Sequence, residues 1–217
     1  MTTILLFGDS NTHGTAPLER LGEGRRFGRD IRWTGHLGRA LGPEVELIEE
    51  GHPGRTTVHD DPIEGEHRNG WRMLPAILES HAPLDIVVIM LGTNDFKARY
   101  AVTAMDVALS VERLAKLVRA SQSGPEGRAP ALLLVAPPPV EEVGCLKGMF
   151  TGGAAKSRGL AAELAIVAAR LGAGFLDAGA HLAVSPLDGV HFEPEGHAAL
   201  GRAMADALRP MIGSQGG

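Results

Sequence analysis

A serine, an aspartate and a histidine stand in short polar segments of this chain and could together perform nucleophilic chemistry. Ser10 lies in the segment GDSNT, and Asp188 and His191 lie three positions apart near the C-terminus. A serine hydroxyl is a weak nucleophile, so it needs a neutral imidazole to accept its proton, and the imidazole needs a group that fixes its tautomer. Because Gly189 allows a turn, the Asp188 carboxylate can reach the other ring nitrogen of His191. The pattern predicts Ser10, Asp188 and His191 as the catalytic residues of an acyl transfer.

Acyl transfer also requires hydrogen-bond donors aimed at the negative charge that develops on the carbonyl oxygen. Asn94, in the segment GTND, can supply a side-chain amide, and Gly54 has no side chain to block its backbone N–H. The backbone N–H of Ser10, at the mouth of a helix, would be a third donor to this oxyanion hole. Three polar neighbours in these segments are candidates for lining a substrate pocket: Asn11, His13 and His52.

Apolar runs indicate the elements that could position these segments. Each run is continuous rather than alternating, which is typical of strands buried between two layers of helices. The strongest runs are residues 4–7, 86–91 and 132–135, and the weaker ones are residues 45–48 and 174–176. The spacing of apolar residues predicts helices at residues 33–41, 104–119 and 154–171. A last helix should begin at Pro194 and stop near Pro210.

Strands that alternate with helices predict an α/β fold with three layers, α/β/α, built on a flavodoxin-like doubly wound sheet of about five parallel strands. We expect a single domain over residues 1–212 and a flexible C-terminal tail over residues 213–217. Ligands bind beyond the carboxyl ends of the strands in such sheets. The segments with Ser10, Gly54 and Asn94 each follow an apolar run, so we expect them at this edge of the sheet.

These polar segments, in this order and spacing, resemble the GDSL, or SGNH, hydrolase superfamily. Its four name residues would be Ser10, Gly54, Asn94 and His191, and the resemblance covers nearly the whole chain. The resemblance implies the SGNH hydrolase fold and a serine esterase that works through an acyl-enzyme. It also implies that the substrate is a small-molecule ester.

Further segments resemble the bacterial arylesterase/acyltransferase branch of that superfamily: residues 32–35 (RWTG), 49–51 (EEG), 55–57 (RTT), 89–95 (IMLGTND) and 177–179 (DAG). This resemblance implies a pocket for short, acetyl-like or aryl esters and a homo-oligomer. Members noted for acyl transfer in water carry tryptophans after the nucleophile, where this chain has His13 and Thr15. We therefore expect hydrolysis, and not a strong preference for transfer to other alcohols.

Two other functions stay open on the sequence alone. A carbohydrate O-deacetylase of the same superfamily would use the same residues and differ in its pocket. The hydroxyl- and glycine-rich residues 10–15 could instead cradle a phosphate, which would make the chain a flavin- or nucleotide-binding protein. That alternative assigns no role to Asn94 or to the Asp188–His191 pair. For the esterase we expect no cofactor and no metal, because no histidine pair has zinc-ligand spacing with a third partner.

Composition argues against several other classes. The chain of 217 residues has 21 Lys and Arg against 26 Asp and Glu, a net charge of −5, and 4% aromatic residues, so we expect no nucleic acid as a partner. Cys145 is the single cysteine, which excludes an intrachain disulfide. No apolar run approaches the roughly 18 residues of a membrane helix and no signal segment is visible, so we expect a cytoplasmic protein without a membrane partner. The apolar, proline-rich residues 136–150 also favour a homo-oligomer.

Overall fold

The computed structural model of the chain describes residues 1–213. The strands are β1 (Thr2–Gly8), β2 (Val45–Gly51), β3 (Ile86–Met90), β4 (Ala131–Ala136) and β5 (Gly174–Asp177). The helices are α1 (Ser10–His13), α2 (Trp33–Leu41), α3 (Gly70–Ser80), α4 (Ala104–Ala120), α5 (Gly153–Ser157), α6 (Leu160–Leu171) and α7 (Pro194–Gly213). Both the strong and the weak apolar runs of the sequence are therefore strands.

The five strands form one parallel sheet in the order β2-β1-β3-β4-β5. This is the flavodoxin-like order, and the predicted α/β fold is confirmed. In register, Ile4 of β1 pairs with Leu47 on one side and with Ile86 on the other. The order reverses next to β1, so the carboxyl end of β1 lies at the crevice where such sheets bind ligands.

Alternate residues of the central strands supply two hydrophobic cores, one on each face of the sheet. Leu5 and Phe7 of β1 face the core that is covered by α3, α4 and α6. Ile4 and Leu6 face the opposite core, which is covered by α2 and α7. Burial on both faces explains why β1 is a continuous apolar run rather than an alternating one.

Three helices differ from the sequence prediction. The helix expected at residues 154–171 is two helices, α5 and α6, separated at Gly159. Helix α3 was not predicted, because Gly70 and Pro75 interrupt its apolar pattern, but Asn69 caps it by accepting the Trp71 backbone N–H at 3.0 Å. Helix α7 passes Pro210, since its last turn packs on the core through Met211.

The C-terminal tail was predicted to begin at residue 213, but Gly213 is the last residue of α7. Residues 214–217, the rest of that prediction, lie outside the described part of the chain. No helix within residues 1–213 is both long enough and apolar enough to cross a membrane.

Candidate active site

Ser10 is the first residue of α1 and lies directly beyond the end of β1. Asp9 caps this short helix, because its carboxylate accepts the Asn11 backbone N–H at 2.9 Å. The helix ends after one turn at Gly14, whose φ of 86° is a left-handed conformation that favours glycine. The strand, the cap and the left-handed end together place Ser10 at the carboxyl edge of the sheet, as expected.

Asp188 and His191 form the turn that precedes α7. Asp188 Oδ1 accepts the backbone N–H groups of Val190 and His191, each at 3.0 Å, and Oδ2 lies 2.6 Å from His191 Nδ1. Gly189 has a φ of +75°, and a Cβ atom there would lie 1.9 Å from the Glu141 carbonyl oxygen. The turn is thus possible only with glycine at this position, as the sequence suggested.

The Asp188 carboxyl is ionised in this setting. Burial acts to raise its pKa, but hydrogen bonds from the side chain and backbone of His191 and from the Leu18 backbone N–H outweigh burial and lower the pKa below its ordinary value. The Leu18 N–H donates to Oδ2 at 2.8 Å. An ionised carboxylate beside Nδ1 keeps the proton of the neutral imidazole on that nitrogen.

The other ring nitrogen of His191 faces the serine. Nε2 lies 3.1 Å from Ser10 Oγ, although the two residues are 181 positions apart in the chain. With a proton on Nδ1, Nε2 is free to accept the hydroxyl proton of Ser10. The structure therefore brings together the three residues that the sequence predicted as a triad.

Gly54 and Asn94, the predicted oxyanion donors, lie on the wall of the same cavity as Ser10 and His191. Gly54 has a φ of 76°, which requires glycine there. The Asn94 amide donates to the Arg55 carbonyl at 3.1 Å and lies 3.4 Å from Asp9 Oδ2. These contacts hold the amide plane of Asn94 between the loop after β2 and the turn after β1.

Asp95 joins the two segments that carry these donors. Its carboxylate accepts the Thr57 hydroxyl at 2.5 Å and the Thr57 backbone N–H at 3.0 Å, and it lies 2.9 Å from His59 Nδ1. The hydrogen bond that His59 donates to Asp95 raises the pKa of His59, against the effect of burial. We call Thr57, His59 and Asp95 the oxyanion clamp.

Two charged residues next to the site have structural surroundings. Arg55 is buried, with its guanidinium 4.2 Å from the centre of the Phe7 ring and donating to the Gly8 carbonyl at 2.8 Å. Burial lowers the pKa of Arg55 to about 10. Burial also raises the pKa of Asp9 to about 6, since its hydrogen bond from Asn11 compensates only in part.

The cavity beside Ser10 has a volume of about 220 Å³. One wall is apolar and comes from the connections between α1 and α2 and between β4 and α5: Leu18, Leu21, Leu146, Met149 and Phe150. Charged side chains that no motif singled out also line the cavity: Glu23, Glu64 and Lys97. A larger cleft of about 970 Å³ lies between α3 and α4 around Trp71 and Leu117, but it contains none of the predicted site residues.

The three polar neighbours predicted for the pocket are not among the residues that line this cavity. The Asn11 side chain is buried and donates to the Val190 carbonyl at 3.1 Å, so it supports the histidine turn. His13 is half-buried, and burial together with Arg26 lowers its pKa. His52 packs against Arg68, and burial lowers its pKa to about 4. Each of the three side chains thus contacts other parts of the protein.

A hydroxyl, an imidazole and a carboxylate in one hydrogen-bonded series, at the carboxyl edge of a flavodoxin-like sheet, define the class of serine hydrolases with this fold. The sequence model of the GDSL-like lipase/acylhydrolase family matches residues 6–199, and the chain belongs to that family. It is a carboxylic ester hydrolase. Family membership decides against the flavin- or nucleotide-binding alternative. Among residues 1–213, no group of three or more His, Cys, Asp or Glu is arranged to hold a metal ion.

Solved structures resemble the whole chain. The native aryl esterase of M. smegmatis is 40% identical with a TM-score of 0.92, and the match covers 97% of this chain and 100% of that one. A carbohydrate acetylesterase from Sinorhizobium meliloti is 36% identical with a TM-score of 0.92, over the same shares of the two chains. No curated protein sequence matched.

Proposed function

We propose that the protein hydrolyses short-chain acyl esters, with Ser10 as nucleophile, His191 as general base and acid, and Asp188 as the group that orients the imidazole. The hydrogen-bonded series from Ser10 Oγ through His191 to Asp188, with distances of 3.1 and 2.6 Å, is the observation that carries this proposal. Each distance lies within the range that proton transfer and tautomer control require.

In the first step, Ser10 Oγ attacks the ester carbonyl carbon while its proton passes to His191 Nε2. The carbonyl π electrons move to the oxygen, and the backbone N–H groups of Ser10 and Gly54 and the Asn94 amide stabilise the resulting oxyanion. As the tetrahedral intermediate collapses, the bond to the alcohol breaks and His191 returns the proton to the leaving oxygen. Asp188 stabilises the imidazolium that exists between these two transfers.

In the second step, water gives a proton to His191 and attacks the acyl-enzyme, and the reverse proton transfer releases Ser10 and the free acid. An alcohol in place of water would give a new ester. We propose this acyl transfer only as a minor outcome, because His13 and Thr15 stand where acyl-transferring members of the branch have tryptophans.

The small cavity supports acyl groups from acetyl to butyryl. Its volume of about 220 Å³ is below the roughly 300–1,000 Å³ of pockets that hold drug-sized ligands. Phe150 and Leu146 lie in its apolar wall and are buried, so a longer chain directed at this wall would meet packed side chains. The aryl esterase relative supports an aryl alcohol as the leaving group.

Carbohydrate O-deacetylation is the second candidate, and the acetylesterase from Sinorhizobium meliloti supports it. The deciding experiment measures kcat/KM for p-nitrophenyl esters from acetyl to decanoyl, beside acetylated sugars. We expect a maximum between acetyl and butyryl. A faster rate for the decanoyl ester would contradict the short-acyl assignment, and a higher kcat/KM for acetylated sugars than for every aryl ester would favour the deacetylase.

A further inference from the structure

Glu64 and Lys97 form a charged part of the wall of the cavity that contains Ser10. The Lys97 side chain is 3% exposed, and its Nζ donates to Glu64 Oε1 at 2.6 Å. A buried ammonium is stable only when it is paired and hydrogen-bonded. This ion pair therefore holds the Glu64 carboxylate in one position at the cavity wall.

The Asp61 carboxylate stabilises the turn that contains Glu64. The buried Asp61 Oδ1 accepts the backbone N–H groups of Ile63 and Glu64, each at 2.9 Å. Arg99 donates to the same oxygen at 2.8 Å, and Lys97 Nζ lies 3.6 Å from the other oxygen. Glu64 is thus positioned by backbone hydrogen bonds as well as by its own ion pair.

The second carboxylate oxygen of Glu64, Oε2, has no hydrogen-bond donor among residues 1–213. Arg68 Nε lies 3.8 Å away, beyond hydrogen-bond distance. A Cβ atom placed on Gly54 would lie 2.6 Å from Glu64 Oε2. An open, negatively charged acceptor therefore stands beside one of the proposed oxyanion donors.

We propose that Glu64, held by Lys97, is a specificity-determining residue that selects uncharged esters with a hydroxyl group next to the reacting ester and rejects esters with a carboxylate there. The inference rests on the proposed esterase function. A hydroxyl can donate to Oε2, and hydrogen bonds to a charged acceptor are about twice as strong as those between neutral groups. A carboxylate in that position would be repelled at short range. The selected substrates are esters of polyols or of hydroxy acids.

Lys97 makes this arrangement compatible with catalysis. A bare carboxylate beside Gly54 would oppose the negative charge that develops on the carbonyl oxygen in the transition state. The Lys97 ammonium, 2.6 Å from Glu64 Oε1, offsets that charge. Glu64 can therefore accept a hydrogen bond from the substrate through Oε2, while Lys97 at Oε1 offsets part of its charge at the oxyanion hole.

The test uses ester pairs that differ in one group. On the alcohol side, 2-hydroxyethyl acetate is compared with propyl acetate, and on the acyl side ethyl glycolate is compared with ethyl propionate. Acetoxyacetate and monoethyl malonate place a carboxylate at the corresponding positions. Acid release is measured for the wild type, Glu64→Gln and Glu64→Leu. A fluorophosphonate titrates reactive Ser10, so that each rate refers to active enzyme.

We expect the wild type to prefer the hydroxyl ester in one pair by at least about tenfold in kcat/KM, the size of one hydrogen bond to a charged group, and that pair identifies the side of the ester that faces Glu64. Glu64→Leu should remove the preference. Glu64→Gln should weaken it and raise kcat/KM for the matching anionic ester by roughly tenfold. The matched control is Glu66→Gln, which removes the same charge from an exposed side chain of the same loop and should leave every ratio unchanged.

Ratios that stay the same in both Glu64 variants would overturn the inference and leave the esterase function intact. That function is checked separately by Ser10-dependent hydrolysis of p-nitrophenyl acetate in the wild type. Its absence would overturn the proposed function and the selectivity together. A partly unfolded variant does not confuse the result, because a ratio of two substrates within one preparation is independent of the active fraction.

Discussion

At the scale of single residues, the hydroxyl of Ser10 is the group on which the whole proposed reaction depends. Ser10→Ala should lower kcat by about 10⁶, since the loss of a triad nucleophile typically has an effect of that order. The fold should be unchanged, because the Oγ atom makes its contact with His191 and not with the core. The measurement is p-nitrophenyl acetate hydrolysis beside a circular dichroism spectrum.

Ser110 provides a matched control for that change. Its hydroxyl lies on the exposed face of α4 and donates to the Asp106 carbonyl at 2.8 Å. Ser110→Ala should therefore keep the wild-type rate. Retention of more than a small fraction of activity by Ser10→Ala would show that another group is the nucleophile.

Asp188 is expected to act through the imidazole of His191. Asp188→Asn should lower kcat by about 10⁴, because an amide favours the wrong tautomer and cannot stabilise the imidazolium. Asp206→Asn removes an exposed carboxylate of α7 and should not change the rate. An Asp188→Asn enzyme with the wild-type rate and pH profile would make the Asp188–His191 contact purely structural.

Asp9 gives a prediction about pH and stability. Because burial raises its pKa from 3.8 to about 6, the folded protein binds a proton that the unfolded chain releases between about pH 4 and pH 6. The free energy of unfolding therefore falls as pH rises through this window. Asp9→Asn keeps the cap acceptor and removes the buried charge, so it should stabilise the fold at pH 7.5 by on the order of 3 kcal/mol.

Urea denaturation at two pH values checks the Asp9 prediction. The gain in unfolding free energy should shrink to a small fraction near pH 4, where the carboxyl is protonated in the folded wild type and about half protonated in the unfolded chain. A difference of equal size at pH 7.5 and pH 4 would show that the effect comes from packing rather than from the charge. Activity is expected to fall even while stability rises, since Asp9 lies 3.4 Å from the Asn94 amide.

At the scale of elements, the oxyanion clamp of Thr57, His59 and Asp95 joins the loop after β2 to the 3₁₀ helix Thr93–Phe96 after β3. Thr57→Val keeps the shape of the side chain and removes the hydroxyl that Asp95 accepts. The Gly54 N–H and the Asn94 amide should then be less well aligned with the oxyanion. Because this interaction is made mainly in the transition state, we expect kcat to fall about tenfold with little change in KM.

The control for the clamp is Thr151→Val, which removes an exposed hydroxyl whose hydrogen bonds go to the carbonyls of Lys147 and Gly148. Steady-state kinetics of both variants decide the matter. An unchanged kcat in Thr57→Val with a lower melting temperature would assign the clamp a structural role only. A higher KM with the same kcat would place its effect on substrate binding instead.

The strands and the motif residues were predictable from the sequence for the same physical reason. Strands buried on both faces must be continuously apolar, so Ile4–Phe7 and its neighbours were visible as runs, and the polar residues directly after them had to lie at one edge. Ser10 and His191 are 181 positions apart and meet because α7, which follows the His191 turn, packs beside α2 on the same face of the sheet. That packing is not visible in the strand pattern, so the resemblance of the Asp188–His191 segment was needed to place it.

The rest of the pocket depends on contacts that no local pattern encodes. Leu18 and Phe150 come from irregular segments whose paths are set by tertiary hydrogen bonds, such as Leu18 N–H to Asp188. Lys97 could not be recognised as a site residue from the sequence, because it is buried through ion pairs with Asp61 and Glu64 of another loop. No local pattern encodes the donation of Asn11 to the Val190 carbonyl either, because it joins residues 179 positions apart.

At the scale of the whole molecule, the predicted homo-oligomer needs a different surface from the one that the sequence suggested. Residues 136–150 pack most of their apolar side chains into the hydrophobic core of the same chain, and Val140 and Phe150 are each 1% exposed. Large apolar side chains are instead exposed next to residues that line the cavity or form the triad. They are Leu21, Ile63 and Leu187, at 63%, 75% and 41% exposure.

We call Leu21, Ile63 and Leu187 the apolar rim. Exposed large apolar side chains commonly mark a surface that another protein covers, and a second copy of this chain is the partner that the oligomer prediction requires. Light scattering at micromolar concentration should give a mass that is a multiple of 22.8 kDa. The double variant Ile63→Glu, Leu187→Glu should shift that mass toward the monomer, because two buried charges per copy oppose association. A wild-type mass of one chain would contradict the oligomer, and an unshifted mass in the double variant would move the interface away from the rim.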